Sequence, residues 1–255
     1  MQPDAPSNDR ALPRCGIAVM AKASKPGRTK TRLGAVVGPE QAALLNTAFL
    51  EDIAENLAAA CALSPIAGYV AFGPPEEIDF FDFLPAHIGR FVAWQPTFGE
   101  TLEAAIRHML AGGHEAACVL NSDSPTLPTS ILVEAAQALA RPGDRIVFGP
   151  SNDGGYYLLG MKTMHAHLFE DITWSTDRVA QETMQRAAEL GLEVHHLPEW
   201  YDVDDALSFE ILRAELAGER SFGPPELTPA AATHTRALLA TIKARGALDD
   251  RITVA

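Results

Sequence analysis

The stretch CGIAVMAKASKPGRTKTRLGAVVGPEQAALLNTAFLEDIAENLAAACALSPIAGYVAF, residues 15–72, joins two apolar runs through a basic loop and a long helical segment. The runs 15–21 and 65–72 have strand length, whereas residues 39–63 carry helical spacing and open on Pro39, a residue favoured at the first helical position. The pattern predicts a β-α-β unit. Further strand-length runs at 91–95, 116–121, 145–150 and 193–198 alternate with helical segments at 100–113, 129–143, 176–191 and 205–218, several closing on glycine. The strands are continuously apolar rather than alternating, as expected where helices cover both faces of a parallel sheet. The expected fold is α/β, Rossmann-like, with a mostly parallel central sheet and helices on both faces.

At 255 residues, with 47% hydrophobic and 21% charged residues, the chain fits one large globular domain. Residues 1–13 are expected to form a disordered N-terminal tail and 14–217 the domain. A proline-rich linker follows from 218, and an appended helix runs to the end of the chain, packed on the domain or on a second copy in a homodimer. No apolar run approaches the roughly 20 residues of a membrane span, and no secretory signal is recognisable. A cytoplasmic protein without a membrane partner is expected. Cys15, Cys61 and Cys118 stand singly, so neither a disulfide framework nor a zinc cluster is indicated. The net charge of −13 argues against a nucleic-acid partner.

Against that acidity, Lys22, Lys25, Arg28, Lys30 and Arg32 crowd one loop with no acid among them. Ligands in such folds bind beyond the carboxyl ends of the strands. Cations just past the first strand therefore suit phosphates, with Arg as a fork and Lys as a point charge. Neither a G-x-x-x-x-G-K-[ST] loop nor a G-x-G-x-x-G turn is present, so side chains must do most of the holding. Asp123, between Ser122 and Ser124 just past the strand 116–121, suits a hard divalent cation or the capping of a turn. Asp202 and Asp204 lie two apart, so in extended chain both project to one side, an arrangement that asks for a metal. Alternatively, Asp204 or Asp205 caps the helix from Ala206.

Asp153-Gly154-Gly155 is either a simple hairpin turn or a place where backbone approaches a ligand while Asp153 binds a hydroxyl or amine. Trp174 and Ser175 precede a helix; Trp174 is a pocket wall or a packing staple, and Thr176 a candidate N-cap. His165, His167, His195 and His196 lack partners at ligand spacing.

Taken in order, "AKASKPGRTKTRL", "NSDSPTLP", "GPSNDGGYYLLG", "WST" and "DVDD" resemble the glycosyltransferase-like family associated with arsenosugar biosynthesis, within the nucleotide-diphospho-sugar transferase superfamily of GT-A fold. A more distant similarity is to phospholactate guanylyltransferases and molybdenum-cofactor nucleotidyltransferases, through Lys30-Thr31-Arg32-Leu33 and the three aspartates. Asn121, where glycine is common, departs from the first pattern.

The resemblance implies a transferase using a nucleotide-sugar, with Mg2+ or Mn2+ on Asp123, Asp202 and Asp204. Its catalytic residues would be Asp123, Asp153 and Asp204. Lys22, Lys25, Arg28, Lys30 and Arg32 would bind phosphate, and Ser122, Gly154, Gly155, Trp174 and Ser175 the substrate or small-molecule acceptor. Nucleotidyl transfer from an NTP to a small phosphorylated or phosphonate acid is the alternative, and a non-catalytic nucleotide-sensing module the third reading.

Overall fold

The computed structural model describes residues 14–244. The expected N-terminal tail, 1–13, and the last residues of the expected C-terminal helix lie outside them. The strands are β1 (Cys15–Ala21), β2 (Ile66–Phe72), β3 (Gly89–Val92), β4 (Ala116–Leu120), β5 (Arg145–Pro150), β6 (Tyr156–Met161) and β7 (Glu193–His196). They form one sheet in the order β3-β2-β1-β4-β6-β5-β7. Only β6 runs antiparallel to its neighbours.

Along β1 the side chains alternate between two cores, as the period of two requires. Ile17, Val19 and Ala21 enter one, with Leu45, Phe49, Leu57 and Ile131. Ala18 enters the other, with Leu102, Ile106 and Met109. The first core is packed by α2 (Pro39–Leu63), α4 (Thr129–Ala140) and α6 (Ala206–Leu216), the second by α3 (Phe98–Ala111) and α5 (Val179–Glu189). Burial on both faces explains why these strands read as unbroken apolar runs. Gly113, Gly143, Gly191 and Gly218 all hold positive φ just past helix ends, as expected.

Several elements differ from expectation. Residues 31–33 are not loop: α1 (Thr31–Val37) precedes α2, with Gly38 between them. It is a seven-residue helix with no side-chain cap and is fixed by burial of Leu33 and Val37. Residues 75–83 form a 3-10 segment anchored by Phe81. β3 lies at 89–92 rather than 91–95, and 93–97 leave the sheet to enter α3 through a Thr97–Glu100 capping box. α5 starts at Val179, so Thr176 does not cap it; its hydroxyl donates to the Thr173 carbonyl at 2.7 Å.

α7 (Thr233–Ala244) packs on α2. Buried Asp52 accepts the His234 and Thr235 backbone N–H groups at 2.8 and 2.9 Å and the Thr235 hydroxyl at 2.6 Å. One helix thus caps another through a side chain. The segment expected to be a linker also touches the body: Phe222 packs on Trp200 and Tyr201, and the Ala230 N–H donates to the Thr126 carbonyl at 3.0 Å. Among the described residues no helix is long and apolar enough to cross a membrane.

Candidate functional site

The parallel strands β1, β2, β3 and β4 end at one edge, and the segments beyond them enclose a cleft of about 680 Å³. The segment after β7 reaches the same place because the Val203 N–H donates to the Asp123 carbonyl at 2.8 Å. Val203 is fully buried between partly exposed Asp202 and Asp204, the alternation expected of extended chain, but Asp204 lines the cleft and Asp202 does not. Asp205, not Asp204, caps α6, accepting the Ser208 N–H at 2.9 Å. Asp204 is thereby left for other partners.

Those partners come from the basic loop. Lys30 Nζ bridges Asp123 Oδ1 at 2.6 Å and Asp204 Oδ1 at 2.7 Å, and Arg32 Nη2 reaches Asp204 Oδ2 at 2.9 Å. Burial of the Lys30 ammonium works against its charge, but the two carboxylates outweigh this and raise its pKa above the ordinary lysine value. Burial likewise pushes Asp204 upward, and Lys30 with Arg32 overcome it, leaving Asp204 below the usual carboxylate range. Asp202 makes no ion pair among the described residues. Burial first, then the charges of Asp153, Asp204 and Asp123, push it up to about 7.

The five cations are divided. Lys22, Arg28, Lys30 and Arg32 line the cleft. Lys25 does not: it pairs with Glu77 of the 3-10 segment, an acid 52 residues away that the local charge count missed. Ser122, Asp123 and Ser175 line the cleft, whereas Trp174 does not. Trp174 packs edge-on behind the cleft residue Phe98, with centroids 5.2 Å apart. Gly154 and Gly155 sit in the β5–β6 turn, also outside the lining. A Cβ on Gly154 would lie 2.1 Å from the Asp177 carbonyl oxygen, so the close backbone approach is made by this chain itself. Asp153 is exposed beside that turn and accepts the Gly155 N–H at 2.8 Å.

The lining residues not singled out for function in the sequence include Trp94, Phe98 and Asn121. Trp94 and Phe98 are 48% and 52% exposed within the cleft, unusual for large aromatics, and Lys22 Nζ stands 5.8 Å over the Trp94 ring. The Asn121 amide donates to Ser124 at 3.1 Å, leaving its buried Oδ1 without a partner.

Does this donor set fit a divalent metal? Asp123, Asp202 and Asp204 supply hard oxygen ligands suited to Mg2+ or Mn2+, and among the described residues Lys30 and Arg32 pair with Asp123 and Asp204 but not with Asp202. The donor type fits such an ion, but the three do not all bring an oxygen within 4.8 Å of one another, and the ammonium of Lys30 joins two of them. Among the described residues, three potential ligands lie within 4.8 Å of one another only at Asp52, Glu55 and His234. There both Asp52 oxygens are already engaged in capping α7.

Comparison with known proteins agrees with the fold. A family model described as "Uncharacterized protein conserved in bacteria (DUF2064)" matches residues 56–176, a span that holds Asp123 and Asp153 but ends before Asp202. No curated protein matches the chain. The crystal structure of a candidate nucleotide-diphospho-sugar transferase from Desulfovibrio desulfuricans G20 is 26% identical, covers 92% of this chain and 99% of its own, and superposes with a TM-score of 0.75.

CMP:2-keto-3-deoxy-manno-octonic acid synthetase complexed with CTP covers 81% of this chain and 100% of its own at 14% identity and TM-score 0.52. A cytidylyltransferase from Leptospira borgpetersenii covers 95% and 99% at 12% identity and TM-score 0.50. The last two share the fold alone. The family match and the Desulfovibrio structure together support the nucleotide-diphospho-sugar transferase superfamily, and the chain has that superfamily's α/β architecture.

Proposed function

We propose that this protein is a divalent-metal-dependent transferase acting on a nucleotide-activated donor, with a nucleotide-diphospho-sugar as the donor. The observation that carries the reading is one cleft, at the carboxyl edge of the sheet, lined both by Lys22, Arg28 and Arg32 and by Asp123 and Asp204. The similarity to the Desulfovibrio protein over nearly both chains supports it, as does the resemblance to the arsenosugar-associated glycosyltransferases.

In this reading Lys22, Arg28 and Arg32 bind the donor's phosphates, Arg by its fork and Lys as a point charge. The Trp94 and Phe98 rings offer a stacking surface for the base, and the unpartnered Asn121 Oδ1 accepts a donor hydroxyl. Asp123, Asp202 and Asp204 would hold Mg2+ or Mn2+, which when bound neutralises the charge that develops on the departing nucleoside diphosphate. Asp153, on the turn beside Asp202, orients the acceptor hydroxyl and takes its proton at a carboxylate oxygen. With Lys25 committed to Glu77, fewer loop cations remain than a count of five suggests, which weighs toward a diphosphate rather than a triphosphate.

One observation favours nucleotidyl transfer as the second reading. Asp153 lies outside the lining of the cleft, and a phosphate or phosphonate nucleophile, already ionised, needs no base. A thermal-shift screen with Mg2+ separates the two, since a ligand that binds the native state raises its melting temperature. Stabilisation by an NDP-sugar is expected; stabilisation by NTPs alone selects nucleotidyl transfer. Binding without turnover in either assay leaves a nucleotide sensor. Asp123→Ala or Asp204→Ala is expected to abolish metal-dependent turnover with the melting temperature largely kept, and full activity of the wild type in EDTA refutes the metal assignment.

A further inference from the structure

Among the loop cations in the cleft, Lys30 has a distinct setting. Its side chain is 3% exposed against 67% for Arg32, so the Lys30 pairs, reached by solvent only from the carboxylate side, are screened less than the Arg32 pair. Its backbone is left-handed, φ 51° and ψ 48°, a region that residues other than glycine rarely occupy and that clusters at functional sites. From there the ammonium reaches across to β4 and to the segment after β7, bridging one oxygen each of Asp123 and Asp204. Behind it the Phe49 ring, 5.7 Å away, offers a π face and no anion.

A divalent ion taking Asp123 and Asp204 needs the very carboxylates that Lys30 joins. Either the ammonium leaves or two like charges share one site, and the second option is repulsive. An ammonium on a flexible stem can move if another anion accepts it, and phosphate in the adjoining cleft is such an anion.

We propose that Lys30 is an exchangeable internal counter-ion that couples metal binding to phosphate binding. The inference rests on the metal-dependent, phosphate-binding reading above. With neither ligand bound, Lys30 neutralises the aspartates. Metal alone must displace it without offering it a new partner, and phosphate alone must draw it from two carboxylates. Together each ligand releases what the other needs, and by linkage the enhancement is reciprocal.

The test is Mn2+ affinity by electron paramagnetic resonance, which counts free Mn2+, on the full chain with and without inorganic phosphate. Wild type is expected to bind Mn2+ at least tenfold more tightly when phosphate is present. Lys30→Met, which removes the competing charge, is expected to bind Mn2+ alone at least tenfold more tightly than wild type. It should also lose at least two-thirds of the phosphate enhancement; Lys30→Gln, a polar replacement, should behave alike.

If both variants bind Mn2+ alone no better than wild type, the coupling is overturned while a metal-dependent transferase stands. Absence of Mn2+ binding in all three proteins, with or without phosphate, overturns both. Should the variants not fold, wild-type affinity unmoved by phosphate is sufficient to overturn the coupling.

Discussion

A methyl group added to Gly154 would stand 2.1 Å from the carbonyl oxygen of Asp177, at a φ of +89°. Neither the backbone clash nor the strained conformation is relieved by a side-chain rotation. Gly154→Ala is expected to cost about 2–5 kcal/mol, read by urea denaturation. At Gly155 the nearest atom is the far end of the Asp153 side chain at 3.0 Å, and no positive φ is involved. Gly155→Ala should cost about 1 kcal/mol at most. Equal losses would show that the turn does not depend on this approach. The same pair illustrates which single residues were legible. Asp123 could be picked out because it lies just past a strand end, Asp204 by its two-residue spacing from Asp202, and Lys30 by the cluster of cations around it. What Gly154 makes room for could not, because Asp177 is distant along the chain. Trp94 was hidden for a related reason: a strand placed at 91–95 absorbs it, and only the early departure of the chain from β3 turns it into the cleft.

Among the elements, α7 is held at its N-terminus by charge as much as by packing. His234 lies between Glu55 Oε1 at 2.8 Å and Glu51 Oε2 at 3.5 Å, with Asp52 also near. The Glu55 hydrogen bond, against some burial and with help from Glu51 and Asp52, raises the His234 pKa above its ordinary value. A histidine raised in the folded state contributes stability fully present below about pH 6.5 and lost as pH rises through the folded value. Asp52 and Glu51 are also raised, chiefly by burial, and both remain in a His234→Ala variant, which therefore isolates the histidine. Backbone amides of 233–244 should therefore lose hydrogen-exchange protection, corrected for intrinsic rate, as pH goes from 6 to 9. In His234→Ala that change should vanish; an identical change there refutes the clamp. The long helices and buried strands were legible from periodicity. α1 was not, because seven residues containing Gly34 carry too little pattern to stand apart from a loop, and its burial is supplied by the rest of the fold.

For the whole molecule, the fold class followed from alternating apolar runs, whereas the role of the region after 217 did not. Its prolines suggest a spacer, but Phe222 closes over Trp200 and Tyr201, and Tyr201 in turn donates to Glu215 at 2.7 Å. A chain ended at residue 217 uncovers these rings and leaves Asp52 without α7. It is expected to lose about 3 kcal/mol or more, or about 6–12 °C in melting temperature, and to gain binding of a hydrophobic dye. Melting unchanged from the full chain would identify the region as a true appendage. The reversed strand β6 bears on how such a protein diversifies. Each parallel neighbour needs a crossover to return to the carboxyl edge, but β5 and β6 meet there through only residues 151–155. Gly154 pins that short turn, but its exposed positions, Asn152 and Asp153, can change without repacking a strand, while the donor half built on β1 to β4 stays fixed. Under the proposed function, descendants of one ancestor would exchange acceptors by changing these two positions and keep their nucleotide.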